Sequence, residues 1–227
     1  MTPPMRKKEI RRNPVAEWVM AAAQFLEKYR TGVLIGLAVL VLVAGAGGGY
    51  WWHRDQQASA ANLALAQAMD PLQGPKASTP ADMDAALQKL QAVAQTYPGT
   101  ESGQEALIRL GNLQYQAGKL DQAGATFGEY LTRYPSGRFM MMAALGKAYV
   151  EESKGELQGA VATLSTALDR DKNSSLAGEA YTSQGRLYEH LKKPEDARRI
   201  YGLMVERFPG TYWQQHALQR LNALGTK

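Results

Sequence analysis

The sequence has 227 residues, 45% of them apolar, which is enough for one compact domain and an attached segment. Its formal charge of +5 is concentrated at one end: residues 1–30 carry seven basic and three acidic side chains, a net of +4. A nucleic-acid-binding domain needs a basic face, and the nearly neutral remainder does not supply one. The absence of cysteine excludes disulfides, thiolate metal sites and a cysteine nucleophile.

Residues 1–31 are predicted to form a basic cytoplasmic segment that contains a short amphipathic helix. Asn13 is a favourable N-cap residue, and Pro14 suits the first helical position. An apolar stripe follows at helical spacing: Val15, Trp18, Val19, Ala22, Phe25, Leu26 and Tyr29. This stripe suits a helix lying on the inner leaflet of a membrane. It suits docking on a partner, or a simple extension of the next helix, equally well.

Residues 32–53 are predicted to be a transmembrane helix. The stretch 33–52 reads VLIGLAVLVLVAGAGGGYWW and contains no charged side chain. At 1.5 Å per residue it spans about 30 Å, the thickness of a hydrocarbon core. Tyr50, Trp51 and Trp52 form an aromatic cluster typical of a membrane interface. Because basic segments are retained in the cytoplasm, we expect a cytoplasmic N-terminus and a C-terminal domain outside.

A cleaved signal peptide is the competing interpretation of this apolar stretch. Ala44-Gly45-Ala46 resembles a small-residue cleavage site. The preceding segment of about 32 residues is long for the charged region of a signal peptide, and the aromatic cluster suits a boundary that stays in lipid. We therefore expect a retained anchor. The mass of the mature protein distinguishes the two.

The remaining residues, 54–227, repeat with a period of 37. Tyr97-Pro98 and Tyr134-Pro135 lie 37 residues apart, and Phe208-Pro209 follows after twice that interval. Three further positions keep this register four times: Ala86, Ala123, Ala160 and Ala197; then Leu90, Phe127, Leu164 and Tyr201; then Val93, Tyr130, Ala167 and Met204. Such a period predicts an all-α solenoid of about four stacked helix pairs.

Glycines mark the first helix of three pairs, at Gly111, Gly146 and Gly185. A helical glycine is unfavourable by about 1 kcal/mol, so its recurrence predicts close approach of another backbone. Gly146 stands two residues early, which predicts a two-residue insertion between Glu151 and Gly159. The first pair is predicted to be split into helices 55–70 and 81–96 by a proline-rich linker at 71–80. A capping helix is predicted over 211–224.

These marks resemble the tetratricopeptide repeat. Tyr181, Gly185, Tyr188, Ala197, Tyr201 and Pro209 match its pattern of small, large and proline positions in one uninterrupted copy. The resemblance implies a concave groove lined by the first helices; its mixed polar lining, with basic points at Lys147 and Arg186, would suit extended peptides or acidic side chains. By the family's geometry, the groove would present Ile108, Asn112, Tyr115, Ala143, Lys147, Thr182, Arg186 and Glu189.

Nothing in the sequence proposes a reaction. His53, His190 and His216 have no second metal ligand three or four residues away. Acidic pairs such as Glu151-Glu152 fall where exposed helix ends and connectors belong, and a solvated surface explains them better than a catalytic dyad. We therefore predict that the protein is not an enzyme. We expect no catalytic residue, no cofactor, no metal, no small-molecule substrate and no nucleic-acid partner.

The whole arrangement is similar to the YfgM-like ancillary subunits of the bacterial SecYEG translocon. A short basic segment, one span, an interfacial YWW, a helix rich in Ala and Gln and irregular repeats follow one another in that order. The resemblance implies a single-pass protein of the bacterial inner membrane with a periplasmic domain. Its partners would be translocon subunits, periplasmic chaperones or secreted clients. The alternative is a structural adaptor in outer-membrane assembly or cell division, which the YP periodicity also suits.

Overall fold

The computed structural model describes residues 14–72 and 79–225, and within these ranges the secondary structure is entirely helical. The elements are α1 (Pro14–Lys28), α2 (Arg30–Met69), a 3-10 turn (Asp70–Leu72), α3 (Pro80–Thr96), α4 (Glu101–Gln116), α5 (Leu120–Arg133), α6 (Met140–Ser153), α7 (Leu157–Arg170), α8 (Ala177–His190), α9 (Pro194–Arg207) and α10 (Tyr212–Gly225). The chain divides into two compact units between Asp55 and Gln56.

The first unit contains α1 and the beginning of α2. The predicted cap at Asn13 lies outside the described residues, but a helix does begin at Pro14. The helix that starts at Arg30 is long and apolar enough to cross a membrane by its length and composition, with a mean hydropathy of 2.2 over an 18-residue window. Trp51 and Trp52 are exposed over about two thirds of their surface.

In the second unit, each helix from α3 to α10 packs against the next one in the chain. We call the first helix of each pair an A helix and the second a B helix. Residues 56–69 of α2 and α3 form the first pair, followed by α4/α5, α6/α7 and α8/α9, and α10 caps the end. Ala61 and Ala68 of α2 are buried in this unit. Most of the predicted linker, residues 73–78, lies outside the described residues.

A helices lie closer together than B helices do. Among the described residues, α6 contacts both α4 and α8, and α8 contacts α10, whereas α5 does not reach α7 and α7 does not reach α9. A stack whose A helices are closer together than its B helices has the A helices on its inner side. The predicted all-α solenoid is confirmed, and its inner surface is built from A helices.

The 37-residue register is stricter than the sequence analysis predicted. Helices α6 and α8 begin at Met140 and Ala177 and end at Ser153 and His190, each 37 residues apart, and α7 and α9 are related by the same shift. The left-handed turn residues Gly118, Gly155 and Lys192 also lie 37 apart. The predicted two-residue insertion before Gly159 is therefore wrong.

The small positions of the repeat make room for aromatic rings. A β-carbon on Gly111 would lie 2.7 Å from Cε1 of Phe127. Gly185 meets Tyr201 in the same way, whereas Gly146 meets Phe127 of the preceding repeat. The prediction that another backbone approaches these glycines is thus wrong, because the neighbour is a side chain. The residue of α6 that keeps the register of Gly111 and Gly185 is Ala148.

The predicted core positions are confirmed. The four alanines of the repeat are fully buried, and the large residues four positions later are no more than 1% exposed: Leu90, Phe127, Leu164 and Tyr201. At each B-helix end, a tyrosine, phenylalanine or aspartate caps the last turn, and its backbone N–H still donates to the helix. Where proline follows, it cannot continue the ladder, which ends the helix.

Candidate functional site

The inner surface of the second unit is the candidate functional site. We call it the A-helix face and define it by the residues of α4, α6 and α8 that face the solvent on this inner surface. Because two residues correspond to about 200° around a helix, a two-residue error moves a side chain to the opposite side. The strict register therefore decides which α6 residues belong to this face. The α6 equivalents of Ile108, Asn112 and Tyr115 are Leu145, Tyr149 and Glu152.

Two predicted groove residues are not accessible. Ile108 is 2% exposed and Ala143 is fully buried, so both fill the packing between helices and neither can contact a ligand directly. Lys147 is also misplaced in the prediction, because it lines a cleft between the B helices α5 and α7. The cause is the false insertion, which shifted the α6 assignments by two residues. Asn112, Tyr115, Thr182, Arg186 and Glu189 do lie on A helices at exposed or partly exposed positions.

Tyr149, which the sequence analysis missed, connects α6 to α8. Its hydroxyl donates to Oε1 of Glu179 at 2.8 Å and lies 3.4 Å from Oγ of Ser183. Burial is the main reason that the pKa of the Tyr149 hydroxyl is raised. The phenol therefore stays neutral and remains a hydrogen-bond donor. Its position 37 residues after Asn112 and before Arg186 was the available sequence signal.

Glu152 and Arg186 form a bidentate ion pair across the same two helices. One guanidinium nitrogen of Arg186 lies 2.8 Å from Oε2 of Glu152, and a second nitrogen contacts Oε1. His190 Nδ1 lies 3.4 Å from Oε1. The hydrogen bond to Glu152 raises the pKa of Arg186, so the guanidinium remains charged. Arg186 was predicted to be a basic point of the groove, but the carboxylate of Glu152 on the preceding A helix neutralises it.

Glu189 occupies the corresponding position one repeat later and pairs with the capping helix. It accepts hydrogen bonds from Tyr201 Oη at 2.7 Å and from Arg220 Nε at 3.1 Å. Burial would raise the pKa of the Glu189 carboxyl, but the hydrogen bonds from Arg220 and Tyr201 outweigh it and lower that pKa. Burial, followed by the bond to Glu189, raises the pKa of Tyr201. Glu189 is thus a structural carboxylate, tied into the end of the stack.

Beside the paired charges, the face presents accessible uncharged groups. Tyr115 is 37% exposed and Met142 is 40% exposed. The hydroxyl oxygen of Tyr115 lies 2.9 Å from Oγ of Ser153. Asn112 and Gln116 are exposed amides, which can both donate and accept hydrogen bonds. At the start of the face, a cleft of about 320 Å³ lies between α2 and α4, lined by residues such as Asn62, Met69 and Arg109. This combination suits an extended backbone with apolar side chains.

Among the described residues, no cluster of three or more His, Cys, Asp or Glu side chains could hold a metal ion. His53, His190 and His216 therefore gain no metal-binding neighbours in this part of the chain. The two carboxylates of the acidic pair Glu151-Glu152 bind different helices. Glu151 accepts a hydrogen bond from Thr163 of α7 at 2.8 Å, and Glu152 binds Arg186 of α8. Both carboxylates are used in packing.

These features define a helical-repeat protein whose inner surface is built from A helices, and comparison with known proteins agrees. Residues 23–226 match the model of the tetratricopeptide repeat-like domain, so the chain belongs to this family. Proteins of this class are typically non-enzymatic scaffolds for protein–protein interaction, and no catalytic family is indicated. Among curated protein sequences, none matches the chain significantly.

Solved structures show the same fold at low sequence identity. A tetratricopeptide repeat protein from Parabacteroides merdae is 18% identical with a TM-score of 0.57, and the match covers 74% of this chain and 61% of that one. MamA from Desulfovibrio magneticus is also 18% identical, with a TM-score of 0.53 and coverage of 73% and 84%. The chain thus spans about three fifths of the Parabacteroides protein. Both similarities concern the fold.

Proposed function

We propose that the protein is a membrane-anchored scaffold whose A-helix face binds extended segments of other proteins. The observation that carries this proposal is the composition of the face. Its charges are neutralised by pairs such as Glu152–Arg186, while Tyr115, Met142 and two amides stay accessible. Amide and hydroxyl groups can hydrogen-bond a peptide backbone, and the aromatic and thioether groups can pack on its side chains. A ligand that is bound through its backbone and its apolar side chains is a polypeptide of mixed sequence.

The anchor is proposed from the apolar part of α2. Its side chains from Leu34 to Val43 are exposed wherever the structure describes them, and Tyr50, Trp51 and Trp52 follow at interfacial spacing. The basic residues of the N-terminus favour a cytoplasmic location for that end, which would put the repeats in the periplasm of a bacterial cell. An anchored groove outside the membrane would meet polypeptides as they leave it.

Within this class, we favour a chaperone-like factor beside the Sec translocon. The support is the order of segments, which resembles that of the YfgM-like ancillary subunits. In this role the span would contact translocon subunits, while the A-helix face would hold secreted clients or periplasmic chaperones transiently. A structural adaptor would instead hold one envelope protein stably.

Site-specific photocrosslinking in cells tests the proposal at both surfaces. A photo-crosslinking amino acid at Leu40 reports on the span, one at Tyr149 reports on the A-helix face, and one at the exposed B-helix residue Gln158 is the matched control. We expect translocon subunits at Leu40, several secreted proteins at Tyr149, and none of these at Gln158. A single dominant envelope partner at Tyr149, without translocon products at Leu40, would identify the adaptor instead.

The location has its own test. The full-length protein should resist alkaline extraction from membranes, and its repeats should be digested by protease in spheroplasts but not in intact cells. Intact-mass measurement of the purified protein should give the uncleaved chain. A mature product beginning at Gly47 would contradict the anchor, and protection of the repeats in spheroplasts would contradict the orientation.

A further inference from the structure

The B-helix side carries a cleft that the A-helix face does not explain. It lies between α5 and α7, which both pack against α6 and do not contact one another. Its volume is about 590 Å³, and it is open to solvent. We call it the B-helix cleft and define it by Leu131, Pro135, Lys147, Ala162, Thr166 and Arg170. The corresponding clefts of the neighbouring repeats are smaller, about 370 and 350 Å³.

Small residues in the third repeat explain the difference. Ala144 stands 37 residues after Leu107 and 37 before Tyr181, and both of these larger side chains line the smaller clefts. Ala167 likewise stands where the flanking repeats have Tyr130 and Met204. Ala144 and Ala167 are themselves buried beneath the cleft, no more than 2% exposed. The missing volume at its floor deepens the depression between the two B helices.

The charge of the cleft has one sign. None of its eleven lining residues is acidic, whereas Lys147 and Arg170 are basic. Lys147 Nζ lies 3.3 Å from Oε1 of Glu151, outside the lining, so its charge is partly neutralised. Arg170 is exposed and donates only at 3.5 Å, to the carbonyl of Pro135, and no carboxylate pairs with it within the described part of the chain. Arg170 is therefore a cation that a ligand can use.

We propose that the B-helix cleft is a second binding site, which takes a protein segment with a bulky apolar side chain next to a carboxylate. The apolar side chain would pack between Leu131 and Ala162, and the carboxylate would bind Arg170 as a charge-assisted hydrogen-bonded pair. The hydroxyls of Thr132, Thr163 and Thr166 border the same space; each already donates its proton within the protein, but its oxygen can still accept a hydrogen bond from a peptide N–H group. A fatty acid has the same two chemical parts, but an open cleft would leave much of its alkyl chain in water.

This inference is independent of the proposed function, since the two surfaces share no residue. A ligand on the A-helix face and a ligand in the B-helix cleft could be bound together. The geometry would let one protein hold two segments of a client, or a client and a partner. Variants of each surface therefore give separate results.

The test begins with random 12-residue peptides displayed on phage. Peptides are first selected for binding to the full-length protein in detergent. Those that also bind the Ala162→Leu protein do not need the cleft and are then removed. Ala162 is exposed on α7, and leucine is a good helix former, so this variant should fold and melt like the wild type. We expect the retained sequences to pair Leu, Phe or Met with Asp or Glu within three residues. Retained sequences without a carboxylate, or no retained sequences, would overturn the proposal.

Affinity measurements with one retained peptide then test whether Arg170 supplies the charge that binds it. Arg170→Gln should weaken binding about tenfold, as expected when one charge-assisted contact is lost. Arg133→Gln is the matched control, because Arg133 ends α5 at the same repeat position but lies outside the cleft. It should leave the affinity unchanged, as should Arg186→Gln on the A-helix face. Equal losses in Arg170→Gln and Arg133→Gln, or displacement of the peptide by lauric acid at similar concentrations, would contradict a specific peptide site.

Discussion

Gly185 and Tyr201 share one space in the last helix pair: a β-carbon built on Gly185 would lie 2.6 Å from both Cε1 and Cζ of Tyr201. The ring cannot move aside easily, because Tyr201 is 1% exposed and its hydroxyl donates to Glu189 at 2.7 Å. Glu189 in turn binds Arg220 of the capping helix. Gly185 therefore leaves room for a ring whose hydroxyl connects α9 to Glu189 of α8 and, through Glu189, to Arg220 of α10.

The first prediction follows from this contact. Gly185→Ala should destabilise the protein, because overpacking costs about 1–3 kcal/mol and exceeds the helix-propensity gain of about 1 kcal/mol. The control is Gly202→Ala, directly after Tyr201 in α9, where an added β-carbon meets nothing within 4 Å. That change should stabilise by about 0.5–1 kcal/mol. Thermal unfolding followed by circular dichroism measures both, and a Gly185→Ala protein as stable as the wild type would contradict the packing.

The second prediction concerns the turn between α8 and α9. Lys192 has a φ of 57°, at the position where the two preceding turns have Gly118 and Gly155. A left-handed conformation is unfavourable for a non-glycine residue by about 1–2 kcal/mol, and glycine removes this strain. Part of the gain is lost again, because glycine loses more conformational entropy on folding. Lys192→Gly should therefore stabilise the protein by about 0.5–1 kcal/mol. Lys193→Gly, at a residue with φ of −111°, should bring no gain, and a similar gain from both would show that the turn is not strained.

How far the sequence predicts this structure depends on which residues are considered. The helix pairs and their buried positions follow from the 37-residue period, because the alanines and the large residues that follow them recur without a gap. The α6 assignments failed because Gly146 is conspicuous and Ala148 is not. By the register, the α7 residue that corresponds to Phe127 and Tyr201 is Leu164, so Ala148 needs no space for a ring, whereas Gly146 accommodates Phe127 from the previous repeat. Local spacing cannot distinguish these two reasons for a small residue.

The pairs that join one A helix to the next could not have been predicted. Glu152 and Arg186 are 34 residues apart, and Tyr149 and Glu179 are 30 apart, so neither pair has a local signal. The B-helix cleft was equally hidden, since it results from volume that is missing at Ala144 and Ala167. Knowledge of the register, rather than of residue types, was needed for both.

The third prediction concerns acid. The folded-state pKa of Glu189 lies below its ordinary value of 4.5, so the folded protein binds the proton less tightly than the unfolded chain does. The ionised carboxylate thus contributes stability that is fully present above about pH 4.5 and is lost as the pH falls through the folded pKa. Glu189→Gln should lower stability at pH 7 and flatten its decline between pH 5 and 3. Glu195→Gln, at an exposed position on α9, is the control and should lower the stability at pH 7 less than Glu189→Gln does.

The last prediction tests the corrected register of the A-helix face. Tyr149→Ala should reduce recovery of the proteins that crosslink at the A-helix face by about fivefold or more, since truncating a tyrosine at the centre of a binding surface commonly costs more than 1 kcal/mol. Lys147→Ala should reduce recovery less than Tyr149→Ala does, because Lys147 lies on the B-helix side. Quantitative mass spectrometry of pull-downs in detergent measures both. The reverse pattern, with loss at Lys147 and not at Tyr149, would restore the register with an insertion, because only a two-residue shift places Lys147 on the inner surface.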